Sequence, residues 1–155
     1  MKLRPARSGE GQVLFDITKA AIEAGGAGVY APDALARWMV GRDAQSYEHV
    51  IAQGTVLVAD GEAGPVGFIE ALPGVIERLF VAPRAMGKGV GRALLEAGLA
   101  VAGGWGRVEL NATLNAVEFY KKSGFREIAR VEYTNEAAGL TVQVVKMAWE
   151  RRETP

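Results

Sequence analysis

From Val75 an apolar, strand-like run passes without a break into a glycine-rich helix start, Val81-Ala82-Pro83-Arg84-Ala85-Met86-Gly87-Lys88-Gly89-Val90-Gly91-Arg92. A strand-to-helix junction of this kind gathers unpaired backbone N–H groups and the positive end of a helix dipole at one point. The occupant that suits it is an anion, above all a phosphate or pyrophosphate. The glycines matter because a side chain there would hold that group away from the backbone. Arg84, Lys88 and Arg92 add positive charge to the same stretch, and Arg92 is the best placed of the three because it lies within the first helical turn.

Two rival phosphate motifs can be tested on the letters. A Walker loop needs Ser or Thr after its lysine, and Lys88 is followed by Gly89. A dinucleotide fingerprint would want a third glycine where Arg92 stands, although Glu109, 20 residues beyond Gly89, is spaced as a ribose-binding acid. Only one strand–helix–strand unit exists here, so an NAD or mononucleotide domain stays as the alternative. A second run, Leu110-Asn111-Ala112-Thr113-Leu114-Asn115-Ala116-Val117-Glu118-Phe119-Tyr120-Lys121-Lys122-Ser123-Gly124-Phe125, sets Tyr120 after Phe119 on a helix, where aromatics at that spacing usually belong to the core.

The elements that must position these residues follow from periodicity and punctuation. A short strand covers about 2–7, and Ser8 can cap a helix whose face holds Val13, Leu14, Ile17 and Ala21, stopped at Gly25-Gly26-Ala27-Gly28. Pro32 suits the first turn of a second helix with Leu35, Trp38 and Met39 on one face and Gly41 at its end; Ser46 to Gln53 is one more helical piece. Strands at 55–59, 66–72 and 75–81 form an antiparallel meander across the Asp60-Gly61 and Pro73-Gly74 turns. A helix from about Gly89 to Ala102, a strand at 107–111, a helix from Asn115 to Ser123 and a terminal hairpin at 125–133 and 140–149 complete the chain. The order β-α-α-β-β-β-α-β-α-β-β is α/β with a mixed sheet, in a single domain over 2–150 followed by a short tail at 151–155.

Composition narrows the function classes. The 18 basic and 18 acidic side chains cancel, which argues against a nucleic-acid partner. No cysteine and a single histidine, His49, leave no thiolate site, no cysteine nucleophile and little basis for a metal centre. No apolar run is long enough to span a bilayer and the N-terminus lacks a signal-like core, so no membrane partner and a cytoplasmic location are expected.

Together the Val-x-Pro-x-x-x-Gly-x-Gly-x-Gly run at 81–91 and the Asn-Ala-x-x-Phe-Tyr-x-x-x-Gly-Phe run at 115–125 resemble the GNAT superfamily of acetyl-CoA-dependent N-acetyltransferases, small bacterial type. The resemblance implies a V-shaped opening between the strands at 75–81 and 107–111. It implies that Leu79, Phe80 and Val81 line the pantetheine arm, that Gly87, Lys88, Gly89, Val90, Gly91 and Arg92 hold the pyrophosphate, and that Arg84 neighbours them. Asn115 would bond the arm, and Tyr120 would stand near the thioester sulfur as the acid. Glu77, alternating with Leu79 and Val81, is the leading general base, with Glu70 in reserve as a base or acceptor contact. Tyr30 and Trp38 would wall the acceptor, unless Trp38 is simply core with Leu35 and Met39. The implied reaction is direct transfer of acetyl from acetyl-CoA to a primary amine, on a small molecule, a peptide N-terminus or a lysine. No metal is needed, and a homodimer on the terminal strands is the family-level expectation. A non-catalytic acyl-CoA sensor on the same fold is the other reading.

Overall fold

The strand closest to the glycine-rich junction, β4 (Val75–Val81), sits near the middle of a seven-stranded sheet ordered β1-β2-β3-β4-β5-β7-β6. This comes from a computed structural model that describes residues 1–151; residues 152–155 of the expected tail lie outside the described residues. The other strands are β1 (Lys2–Pro5), β2 (Val56–Gly61), β3 (Gly64–Leu72), β5 (Arg107–Ala112), β6 (Arg126–Asn135) and β7 (Leu140–Glu150). All neighbours are antiparallel except β4 and β5, which run parallel and share a single register pair, Val75 with Glu109. Beyond that pair the two strands splay, and the expected V is present.

Helices cover both faces. On one face α4 (Val90–Ala102) and α5 (Val117–Lys122) bury a core around Ile69, Leu94, Leu95, Val108 and Met147. On the other, α1 (Gly11–Gly26), α2 (Pro32–Arg37) and α3 (Ala44–Ala52) close over Leu14, Val58, Phe68 and Trp38. The piece read at 46–53 is thus a full helix, so three helices precede β2 where the expected order counted two. Its start is set by a reciprocal cap: Asp43 accepts from the Ser46 N–H at 3.0 Å while the Asp43 N–H donates to Ser46 Oγ at 3.3 Å.

The expected cap of α1 is corrected. Ser8 makes no such bond; Glu48 of α3 supplies it, accepting from the Gly9 N–H at 2.6 Å and the Gly11 N–H at 2.7 Å. Gly11 allows the approach, since a Cβ there would stand 2.4 Å from the Ala44 carbonyl oxygen. Close packing explains Gly98 in the same way. A Cβ at 98 would fall 2.4 Å from Ile69 Cδ1, so glycine lets α4 lie directly on β3 and brings its N-terminus to the end of β4.

Candidate active site

The N-terminus of α4 is built by backbone conformation. Gly87 (φ +75°) and Gly89 (φ +82°) adopt the left-handed region that side-chain-bearing residues avoid, and nothing lies within 4 Å of where a Cβ would project at either one. The N–H groups of Val90, Gly91 and Arg92 open the helix and have no intrahelical acceptor. Arg84 and Lys88 are exposed with no ion pair among the described residues, and Arg92 faces Glu96 at 3.5 Å on the solvent side.

β4 supplies the adjoining edge. The Ala82 N–H donates to the Val66 carbonyl at 2.7 Å, and Phe80 faces Phe68. By antiparallel alternation Phe80 spends its backbone groups on β3, whereas those of Leu79 and Val81 point to the splayed side. Phe80 contributes only its ring, 6.0 Å from that of Phe68.

Two cavities meet at this edge. The larger, about 330 Å³, joins the 87–92 loop to Leu79, Val81, Asn115 and Tyr120, and reaches Tyr30, Leu35 and Trp38 on the other side. The smaller, about 60 Å³, lies in the V and is bordered by Glu77, Arg78, Leu110, Thr113 and Tyr120. Tyr120 borders both. It is 7% exposed, packed edge-on against Phe119 at 5.1 Å and Phe125 at 5.6 Å, and its hydroxyl has no hydrogen bond among the described residues. Burial pushes this phenol well above its ordinary pKa, so it stays protonated.

The expected placement of Glu77 is corrected. Glu70 pairs with Arg78 but the next pair is Ala71 with Ile76, leaving Glu77 as the extra residue of a bulge. Simple alternation no longer places Glu77 beside Leu79 and Val81; it is exposed and borders the smaller cavity. Glu70 does not line the site; it binds Arg78, which borders the smaller cavity. Glu70 itself is buried, its carboxylate also lies 3.5 Å from the Thr55 hydroxyl, and it borders neither cavity. Glu109, the ribose-binding acid of the dinucleotide alternative, is held by Arg107 at 3.0 Å and Lys146 at 3.2 Å and also borders neither.

Tyr30 and Trp38 both line the larger cavity and touch edge-on at 5.0 Å. Trp38 is core as well, 5% exposed and stacked on Tyr133 at 5.4 Å. The Tyr30 hydroxyl donates to the Gln143 carbonyl at 2.6 Å and accepts from the Leu114 N–H at 3.0 Å, which fixes the turn carrying Asn115; burial raises its pKa. The β6–β7 hairpin holds this wall from outside. Arg37 donates to the Ala138 carbonyl at 2.7 Å, and the Asn135 amide donates to the Trp38 and Val40 carbonyls.

Sequence reasoning missed the C-terminal turn of α1 as part of the site. Gly25 and Gly26 read as a helix stop, but a Cβ at 25 would meet Asn115 Nδ2 at 2.7 Å and one at 26 would meet Leu35 at 2.5 Å. The available signal was the glycine pair itself, whose missing side chains allow close packing as well as a helix stop.

Among the described residues no helix is long and apolar enough to cross a membrane, and no cluster of three or more His, Cys, Asp or Glu side chains is placed to hold a metal. The chain is similar to an uncharacterized N-acetyltransferase, YafP, of Escherichia coli (strain K12), 27% identical over 128 residues that span 83% of each protein. It superimposes on a GCN5-related N-acetyltransferase from Rhodopseudomonas palustris with a TM-score of 0.89 at 26% identity, covering 97% of this chain and 95% of that one. It shares its fold with the PaiA N-acetyltransferase of Thermoplasma acidophilum, solved with coenzyme A, at a TM-score of 0.77 and 18% identity over 97% of this chain and 98% of that one. The family model described as an acetyltransferase (GNAT) domain matches residues 26–151, and the chain belongs to that family.

Proposed function

We propose that the protein transfers the acetyl group of acetyl-CoA directly to a primary amine, with both substrates bound together. The observation that carries this is one continuous cavity running from the helix-start amides at 87–92, past the open edge of β4 and Tyr120, to the Tyr30–Trp38 wall. The residues fit the group: the empty space above Gly87 and Gly89 is what a diphosphate needs to reach the backbone. Acetyl-CoA supplies an acetyl group activated as a thioester.

The roles of the chain's own residues follow from chemistry. The N–H groups from Gly87 to Arg92 hold the diphosphate, and the exposed Arg84 and Lys88 add attraction for phosphate. Leu79 and Val81 pair the pantetheine amides as a further strand would, with Asn115 closing the far side. The Val81 N–H, turned to the open edge, donates to the carbonyl oxygen as negative charge gathers on it. Apolar surroundings favour the neutral amine, and Glu77, at the rim of the smaller cavity, takes its proton through water. The new N–C bond forms as the C–S bond breaks, and the protonated Tyr120 hydroxyl gives its proton to the departing sulfur. No covalent adduct with the enzyme is needed.

Thermal shift with coenzyme A and with NAD tests the reading, because a ligand of the folded state raises the melting temperature by mass action. Coenzyme A is expected to stabilise the protein, and acetyl-CoA plus an amine panel to release free thiol. Stabilisation by NAD alone would overturn the assignment. Stabilisation by coenzyme A with no thiol release across amines, amino acids and peptide N-termini would leave a sensor in its place.

A further inference from the structure

We propose that the acceptor is a primary amine on an apolar body without a second positive charge, such as an alkylamine or arylalkylamine; this rests on the acetyl transfer proposed above. The larger cavity carries almost no charge. Of the residues that line it only Arg92 is charged, and that lies at the phosphate end. The acceptor end is formed by Ala21, Ile22, Tyr30, Leu35 and Trp38, with no carboxylate among them. The acidic side chains on neighbouring elements do not enter it: Glu23 of α1 is exposed and borders neither cavity, and Glu77 borders only the smaller one. Asp33 of α2 is paired with Arg37 at 2.8 Å in an exposed position, and Glu70 is bound to Arg78.

Polar compensation for a cation is equally scarce. The Tyr30 hydroxyl is already bonded to Gln143 and Leu114. Trp38, stacked on Tyr133 and touched by Tyr30, is almost fully covered and presents little ring face. A reacting amine can enter neutral, at the cost of one proton. A polyamine, an aminoglycoside or a lysine-rich peptide brings further ammonium groups, and each would be stripped of water with no anionic partner. Apolar bodies gain from the same wall by burying their own surface.

The test compares hexylamine with 1,6-diaminohexane, which differ only in a second ammonium, using thiol release from acetyl-CoA and, separately, calorimetric titration of coenzyme A. Hexylamine is expected to show a kcat/KM at least about tenfold higher. Leu35→Glu, which sets a carboxylate in the wall, should narrow or reverse the preference, whereas Leu35→Gln should not. Equal or better use of the diamine by the wild-type protein, or acetylation of neither amine, with coenzyme A binding intact, overturns this proposal alone. Failure to bind coenzyme A at all overturns it together with the proposed activity.

Discussion

Replacing Tyr120 with phenylalanine removes one oxygen from the point where the two cavities meet and leaves the ring in place. Its contacts with Phe119 and Phe125 are ring contacts, and its hydroxyl has no hydrogen bond among the described residues. Folding stability should therefore change by no more than about 0.5 kcal/mol, because no buried partner is orphaned. Coenzyme A affinity should stay within about twofold, since the helix-start amides and the β4 edge are untouched. The chemical step is different. A positioned general acid contributes roughly 10²- to 10⁴-fold, or about 3–5 kcal/mol of barrier, and Tyr120→Phe should lose that much. Single-turnover thiol release is the assay of choice, because slow product release would hide part of the effect in kcat. Burial holds the wild-type phenol protonated well past its ordinary range, so no loss of rate from its ionisation should appear up to about pH 9. A single-turnover rate for Tyr120→Phe within about threefold of wild type, at unchanged coenzyme affinity, would refute the reasoning.

Gly89→Gln should abolish coenzyme A binding in calorimetry while costing only about 1 kcal/mol of stability, the strain of a side chain at φ +82°. Glu77→Gln should slow thiol release by about tenfold or more while coenzyme A affinity in calorimetry stays unchanged. Gly98→Leu should destabilise the fold by about 1–3 kcal/mol in urea denaturation, because its Cβ collides with Ile69 at 2.4 Å and lifts α4 from β3. Acid stability should depend on Arg4, which binds Glu10 at 2.8 Å and Asp60 at 2.7 Å and holds both carboxylates below their ordinary pKa. Groups with depressed folded-state pKa stabilise above the unfolded value and lose that contribution as pH falls through the folded one. Stability should thus decline from about pH 4.5 downward, and Arg4→Gln should flatten that decline in melting curves.

What could be read from the letters was whatever depends on near neighbours in the chain. The strand alternation of β2 to β4, the glycine spacing at 87–91 and the pairing of that loop with the Asn115–Phe125 run are all local, and the fold class and cavity followed from them. Glu77 escaped because a bulge adds one residue to a ladder without changing any residue type, and its presence depends on the register of β3. Glu70 looked available for chemistry only while Arg78, eight residues away, had no known partner across the strands. The Glu48 cap joins α3 to the Gly11 N–H across 37 residues, a distance at which no periodicity carries information. Ser8 was the nearer candidate and lost because α3 had already brought a carboxylate to the same donors.

The two ends of the larger cavity are made of different material. At one end the lining is main chain, shaped by glycines in the left-handed region. At the other the wall consists of side chains from α1, α2 and a surface hairpin, held by Arg37, Asn135 and the Tyr30 hydroxyl. Under the proposed activity, substitutions there change the acceptor while the cradle proposed for the donor stays fixed. A lineage built this way diversifies by repapering one wall, and its members should differ most in what they modify and least in what they modify it with.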